Sequence, residues 1–188
     1  MVYPIVVYGD SVLRRRSVEI EEPSIEISNL IDDMFSTMYA ANGVGLAAPQ
    51  IGKSIRLIVV DGTSLGDKDT EDMTDFKNSY INPVIVEETG EKWAFEEGCL
   101  SIPTVRKEVM RKMRIKIAYR DQNWTQHEKT YEGIKARIIQ HEIDHLNGKL
   151  FIDYLSPLER RLLKSKLSDI SRGKVEVDYP IRTTYSKS

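Results

Sequence analysis

Cysteine is nearly absent from this 188-residue chain, where Cys99 stands alone. No intrachain disulfide can form, and a lone thiol suits a reducing cytoplasm better than a secreted, disulfide-stapled fold. Charge of one sign is lacking too. Lys and Arg number 27 against 29 Asp and Glu, a net charge of −2, so no strongly basic surface points to sequence-specific nucleic acid. The opening residues have no basic stretch before their apolar ones, and Pro4 and Gly9 break the run. That is too short for a signal peptide or membrane segment, and no membrane partner is expected. No internal repeat is visible. The length suits one domain with its own core, placed at residues 1–174 and followed by a tail at 175–188.

Histidine is scarce as well, at three residues, yet two of the three fall in one motif. Gln140-His141-Glu142-Ile143-Asp144-His145 contains His-Glu-x-x-His inside a run that reads as helix. A helix advances about 100° per residue, so positions i and i+4 share a face. His141 and His145 therefore point the same way, as two metal ligands on one helix must. Glu142 sits where a carboxylate can take a proton from an attacking water. Ile134 and Ile138 continue the same face upstream, so the ligand face is also apolar and the helix is buried. Gly148 supplies a left-handed residue to end it. The third histidine, His127, has Tyr131 four residues on and is expected on an exposed strand or turn.

The remaining elements follow from spacing. Asp10 or Ser11 can cap a short helix over Val12–Arg14. Ile27, Leu30, Ile31, Met34, Phe35 and Met38 repeat with helical period after Ser24, and Asn42-Gly43 ends that helix. Strands are expected at 55–60, 80–86, 93–95, 105–119 and 126–131. Along 105–119, Val109, Met113, Ile115, Ile117 and Tyr119 form the apolar side. Arg106, Arg114, Lys116 and Arg120 form the solvated one. Pro83 predicts an edge or bulge. The acidic stretch 62–79 reads as a mobile surface insertion. Ser156-Pro157-Leu158-Glu159 opens a last helix that Gly173 closes, and the tail beyond 175 is expected to lie extended or fray. Together these predict an α+β fold: antiparallel or mixed β-sheets around the central metal-binding helix, with one helix N-terminal to it and one C-terminal.

A catalytic zinc-type site needs a third protein ligand and one open position. A histidine six residues beyond His145 would fit one protease pattern, but Phe151 stands there. Glu159 already has a capping role. Cys99 remains, in the glycine-flanked turn Glu97-Gly98-Cys99-Leu100-Ser101. Two readings of such a site are a zinc endopeptidase and a non-catalytic metal-binding module.

Three segments, in order, carry a family resemblance: Gly43-Val44-Gly45-Leu46-Ala47-Ala48-Pro49-Gln50, Glu97-Gly98-Cys99-Leu100-Ser101, and Gln140-His141-Glu142-x-Asp144-His145-Leu146. The chain resembles bacterial peptide deformylase over nearly its whole length. The resemblance implies one divalent metal on Cys99, His141 and His145. That metal is usually ferrous iron, with Zn2+ a donor-compatible choice and Ni2+ or Co2+ as replacements. It implies removal of formate from N-formylmethionyl nascent chains in the cytoplasm, with those chains and the ribosome as partners. It also implies that the Leu100 N–H and the Gln50 amide stabilise negative charge on the formyl oxygen, with Glu142 moving the proton. Gly45 then pairs with an extended peptide, Val44, Ile134 and Ile138 wall the methionine slot, and Arg137 rims it. Ser11 departs from the family's usual proline, and the 62–79 loop is longer than in compact members.

Glu97 and Arg106 flank the Cys99 turn on either side. An ion pair between them is expected to pin the turn that aims both the thiolate and the Leu100 N–H.

Overall fold

The computed structural model describes residues 1–66 and 72–184. Strand β1 (Ile5–Val6) leads through a 3-10 turn at Ser11–Arg14, capped by Asp10, to helix α1 (Ile25–Ala40). The Ser24 hydroxyl accepts from the Ile27 N–H at 3.2 Å and starts α1. Leu30, Ile31, Met34, Phe35 and Met38 bury its apolar stripe. Strands β2 (Gly45–Ala47), β3 (Leu57–Asp61), β4 (Lys77–Cys99), β5 (Ile102–Arg120) and β6 (Gln126–Glu132) follow. Helix α2 (Gly133–Leu146) carries the histidine motif, α3 (Pro157–Ser171) comes after it, and β7 (Ile181–Arg182) ends the described chain.

The five central strands form one antiparallel sheet in the order β2-β3-β4-β5-β6, while β1 and β7 pair in parallel. Strand β3 is buried on both faces, and its pleat explains how the core is divided. Leu57 and Val59 pack with the apolar stripe of α1. Ile58 and Val60 point the other way, to Ile138, Ile139, Ile143 and Leu146 of α2. The sheet is thus covered by one helix on each side, and the motif helix is held by apolar burial before any metal is considered. A fully buried Ile or Leu side chain contributes roughly 1.5–3 kcal/mol of such anchoring.

Two strand expectations merge. The 80–86 and 93–95 segments belong to the single strand β4, whose register with β5 slips between Ile81 and Val84, Ile85 and Glu87, and Thr89 and Lys92. Pro83 falls in the first slip, where its missing N–H costs no ladder bond. Beside it Asn82 adopts a positive φ of 52° and bonds both backbone groups of Ile20, at 2.9 and 2.8 Å.

Three expectations, those for 62–79, Met113 and His127, need correction. The 62–79 stretch is not wholly a surface insertion: Met73 and Phe76 are buried, and the Gly62 N–H donates to the Phe76 carbonyl at 2.8 Å. Apolar side chains among the acidic ones pull that half back to the core, and residues 67–71 lie outside the described chain. Met113, assigned to the apolar side of β5, is 42% exposed. The tail takes the extended of its two expected forms up to residue 184. The Ile5 N–H donates to the Pro180 carbonyl and the Val7 N–H to that of Arg182, at 2.8 and 3.1 Å, so β1 captures it. Residues 185–188 lie outside the described chain. His127 lies on β6, half-buried rather than exposed, with its Nε2 2.7 Å from the Asp121 carboxylate.

Candidate metal centre

The metal-ligating atoms of Cys99, His141 and His145 all lie within 4.8 Å of one another. Two elements bring them together. The last turns of α2 present the two imidazoles on one face, as i and i+4 require. Strands β4 and β5 join through the two-residue turn Leu100-Ser101, and Cys99 ends β4 at its edge. The thiol sulfur stands 3.2 Å from His145 Nε2. One thiolate and two imidazoles form a donor set that suits a divalent transition metal, and three protein donors are the number a catalytic site uses.

The imidazoles are aimed by groups behind them. Glu97 Oε2 lies 2.9 Å from His141 Nδ1, which leaves His141 Nε2 to face the centre. Burial works against a charge on His141, yet Cys99 and Glu97 beside it prevail and hold its pKa well above the ordinary value. Burial and the neighbouring His141 hold His145 well below it. An incoming cation must therefore displace a proton from this cluster.

Glu97 does not meet Arg106. Its partners are Arg111, whose Nε and Nη2 donate to Oε1 and Oε2 at 2.7 and 3.0 Å, and Arg137, whose Nη1 donates to Oε1 at 2.9 Å. Arg111 continues to Asp144 Oδ2 at 2.6 Å, and the Tyr154 hydroxyl donates to the same oxygen at 2.9 Å. Arg106 instead stands exposed, 3.7 Å from Glu96. The reason is strand parity. Gly98 pairs with Arg106 across the hairpin, so Glu97, one residue on, points to the opposite face, where Arg111 also points. Sequence reasoning missed Arg111, although a signal existed. It shares the parity of Val105, Val109, Ile115 and Ile117, and a charge in an apolar register predicts a buried partner. Arg137, expected at the rim of the methionine slot, lines the cleft beside Ile134 and Ile138 with its guanidinium buried. It is bonded to the Val109 and Trp93 carbonyls and stacked over the Trp93 ring at 4.7 Å.

The other candidates converge on one cleft of about 1100 Å³. Glu142 is buried, and its Oε2 has no hydrogen-bond partner among the described residues. Burial pushes its carboxyl up to about 7, close to where a group both takes and returns a proton. Gln50 is buried with its amide oriented. Its Oε1 accepts from the Ala47 N–H at 2.8 Å, so Nε2 faces Ser101 Oγ at 3.3 Å and Cys99 Sγ at 3.6 Å. Val44, Gly45, Leu100, Ile134 and Ile138 line the same cleft, with Ile134 and Ile138 one helical turn apart on α2. Arg106 reaches only its rim. Gly45 also has a packing reason. A Cβ there would fall 2.4 Å from Glu142 Oε1, so the carboxylate lies directly against the bare backbone.

A sequence profile described as polypeptide deformylase matches residues 2–161. The chain belongs to the polypeptide deformylase family. It is 48% identical over 193 aligned residues to a peptide deformylase of Christiangramia forsetii, covering 100% of this chain and 98% of that one. It is 46% identical to one of Cytophaga hutchinsonii, covering 100% of both. Among solved structures, a Legionella pneumophila peptide deformylase superposes with a TM-score of 0.80 at 41% identity, over 93% of this chain and 98% of that one. A Plasmodium falciparum peptide deformylase gives 0.81 at 38% identity, over 90% and 95%. The deformylase profile ends before α3 does, so the tail lies beyond its reach.

The contact between Gly45 and Glu142 gives a direct test. Gly45→Ala should leave the fold intact, because the clash is with a side chain. Displacing the carboxylate by about 1 Å should still lower kcat/KM by about 10²-fold. Steady-state kinetics beside a thermal melt checks this; wild-type turnover in a folded variant would show that Glu142 does not need its present position.

Proposed function

We propose that Cys99, His141 and His145 hold one divalent cation, ferrous iron, at which this deformylase removes the formyl group from the N-terminal N-formylmethionine of new polypeptides and releases formate. The observation that carries the site assignment is the convergence of three donor atoms within 4.8 Å on a cleft containing the buried Glu142 carboxylate, whose Oε2 has no hydrogen-bond partner among the described residues. When bound, the cation supplies Lewis acidity toward the formyl carbonyl and the attacking water. Thiolate and imidazole donors suit iron and zinc alike, so iron rests on the family resemblance. Metal analysis after anaerobic purification should return one iron per chain; zinc alone would contradict that choice.

The chain's own residues do the rest. Glu142 takes a proton from the attacking water and passes it to the departing methionyl nitrogen. Its raised pKa and an Oε2 with no hydrogen-bond partner among the described residues support that exchange. The Gln50 Nε2–H and the Leu100 N–H donate to the formyl oxygen as its charge grows. The Ala47 N–H supports the Gln50 role, since it fixes which end of the amide points inward. The Gly45 backbone pairs with the extended peptide, and Val44, Ile134 and Ile138 receive the methionine side chain. Nascent chains, and the ribosome that carries them, are the partners inferred, in the cytoplasm. No helix among the described residues is long and apolar enough to cross a membrane.

Glu142→Gln should retain metal and lose turnover by about 10²–10⁴, because the ligands stay while the proton carrier goes. Mass spectrometry of a formyl-Met peptide reads it. The wild type should give loss of the formyl group alone, and internal cleavage would instead identify an endopeptidase. Near-normal deformylation by Glu142→Gln would place the base elsewhere.

A further inference from the structure

Phe151 stands where one protease pattern would carry a third metal ligand, and the short apolar run around it has no part in the chemistry above. Residues Phe151–Tyr154 form a 3-10 turn between α2 and α3. The turn is braced by its own Asp153. That carboxylate accepts from the Leu150 N–H at 2.9 Å and from both terminal nitrogens of Arg14, at 2.6 and 3.1 Å. Two aromatic rings are thereby aimed at the metal centre from behind. Phe151 is buried and stacks on the His141 ring, with centroids 6.1 Å apart and planes inclined by 27°. Tyr154 reaches the charge network behind His141. Its ring centroid lies 4.6 Å from the Arg111 guanidinium carbon, and its hydroxyl donates to Asp144 Oδ2 at 2.9 Å.

The side chains of Glu97, Arg111 and Arg137 are only 3–4% exposed, whereas that of Asp144 is 12% exposed. Of the four charged groups, Asp144 is the one that water reaches most, and Tyr154 is bonded to it. Water there would weaken the Arg111–Asp144 attraction and compete for the guanidinium. The Arg111 fork is shared. Its Nη1 serves Asp144, while Nε and Nη2 serve Glu97, whose Oε2 holds His141 Nδ1. A change at Asp144 therefore passes through one rigid, planar group to the carboxylate that orients a ligand. Burial and the nearby Asp144 push the Tyr154 hydroxyl up to about 12, so it remains a donor near neutral pH. We propose that Tyr154 is a positioning residue for His141: it closes the Arg111–Asp144 pair against water and so keeps Glu97 committed to the imidazole. The inference rests on the reading of Cys99, His141 and His145 as the metal site. It extends that site to a residue that does not line the cleft.

The test is the Co2+ affinity of the metal-free protein, measured by competition with a chelator, beside the visible spectrum of bound Co2+ and a thermal melt. Tyr154→Phe keeps the ring and loses the hydroxyl. It should bind Co2+ about 3-fold more weakly, within the effect of one hydrogen bond. Tyr154→Ala admits water to the pair and should bind about 10-fold more weakly, the lower end for groups that support a metal ligand. Its Co2+ bands should shift, because His141 is no longer held in one orientation. The gap between wild type and Tyr154→Ala should widen in about 1 M salt, where exposed charges are screened within about 3 Å. Wild-type affinity in a folded Tyr154→Ala would overturn the proposal, even with a lowered melting temperature, since the tyrosine would then serve the fold alone. Should that variant not fold, wild-type affinity in Tyr154→Phe overturns it. A wild type that takes up no Co2+ would overturn the metal-site reading beneath it, and the two failures are distinguishable.

Discussion

The buried carboxylate of Glu97 is the constraint on which the site depends. It sits on β4, is bonded by Arg111 of β5 and by Arg137 and His141 of α2, and so joins the turn that carries Cys99 to the helix that carries His141 and His145. Two carboxylates, Glu97 and Asp144, meet two guanidiniums, Arg111 and Arg137, and all four side chains are buried. Burying charges costs several kcal/mol each, and only full pairing offsets it. Removing one member is expected to cost about 3–5 kcal/mol, whereas an exposed pair such as Glu96–Arg106 is worth about 0–1 kcal/mol. Burial alone would push Glu97 up. The hydrogen bonds from His141 and Arg111 prevail and hold it well below the usual carboxylate range. Its stabilisation is therefore complete above the ordinary carboxylate pKa and drains away as the pH falls through the lower, folded value.

The second constraint is space. Gly45 leaves room for Glu142, and the Ala47 N–H turns the Gln50 amide inward. Apolar residues on both sides of β3 pack these elements in place, so the Gln50 amide and the Glu142 carboxyl, proposed as donor and base, already stand in position before any substrate binds. The same dry packing raises the Glu142 pKa. Fold stability and chemistry thus share one cause, the burial of α2 against the sheet.

Much of this was legible in the residues. Helical spacing singled out His141 and His145 and elimination singled out Cys99, and the structure brings their donor atoms within 4.8 Å of one another; α1 and α3 showed in their periods and caps. What stayed hidden depended on strand register. Whether Glu97 faces Arg106 or Arg111 is a matter of pleat parity, and a one-residue choice moves a side chain to the other face. The bulges that fuse 80–86 with 93–95 into β4 leave only Pro83 as a local trace. Capture of the tail depends on long-range pairing between β7 and β1, which no local pattern specifies.

The most direct test of the central claim is the metal affinity of Glu97→Gln, measured by competition with a chelator. The account predicts a folded protein that binds the cation about 10–100-fold more weakly, because His141 loses the group that orients it. Unchanged metal affinity in Glu97→Gln would contradict the account, since the ligands would then be held without the buried carboxylate.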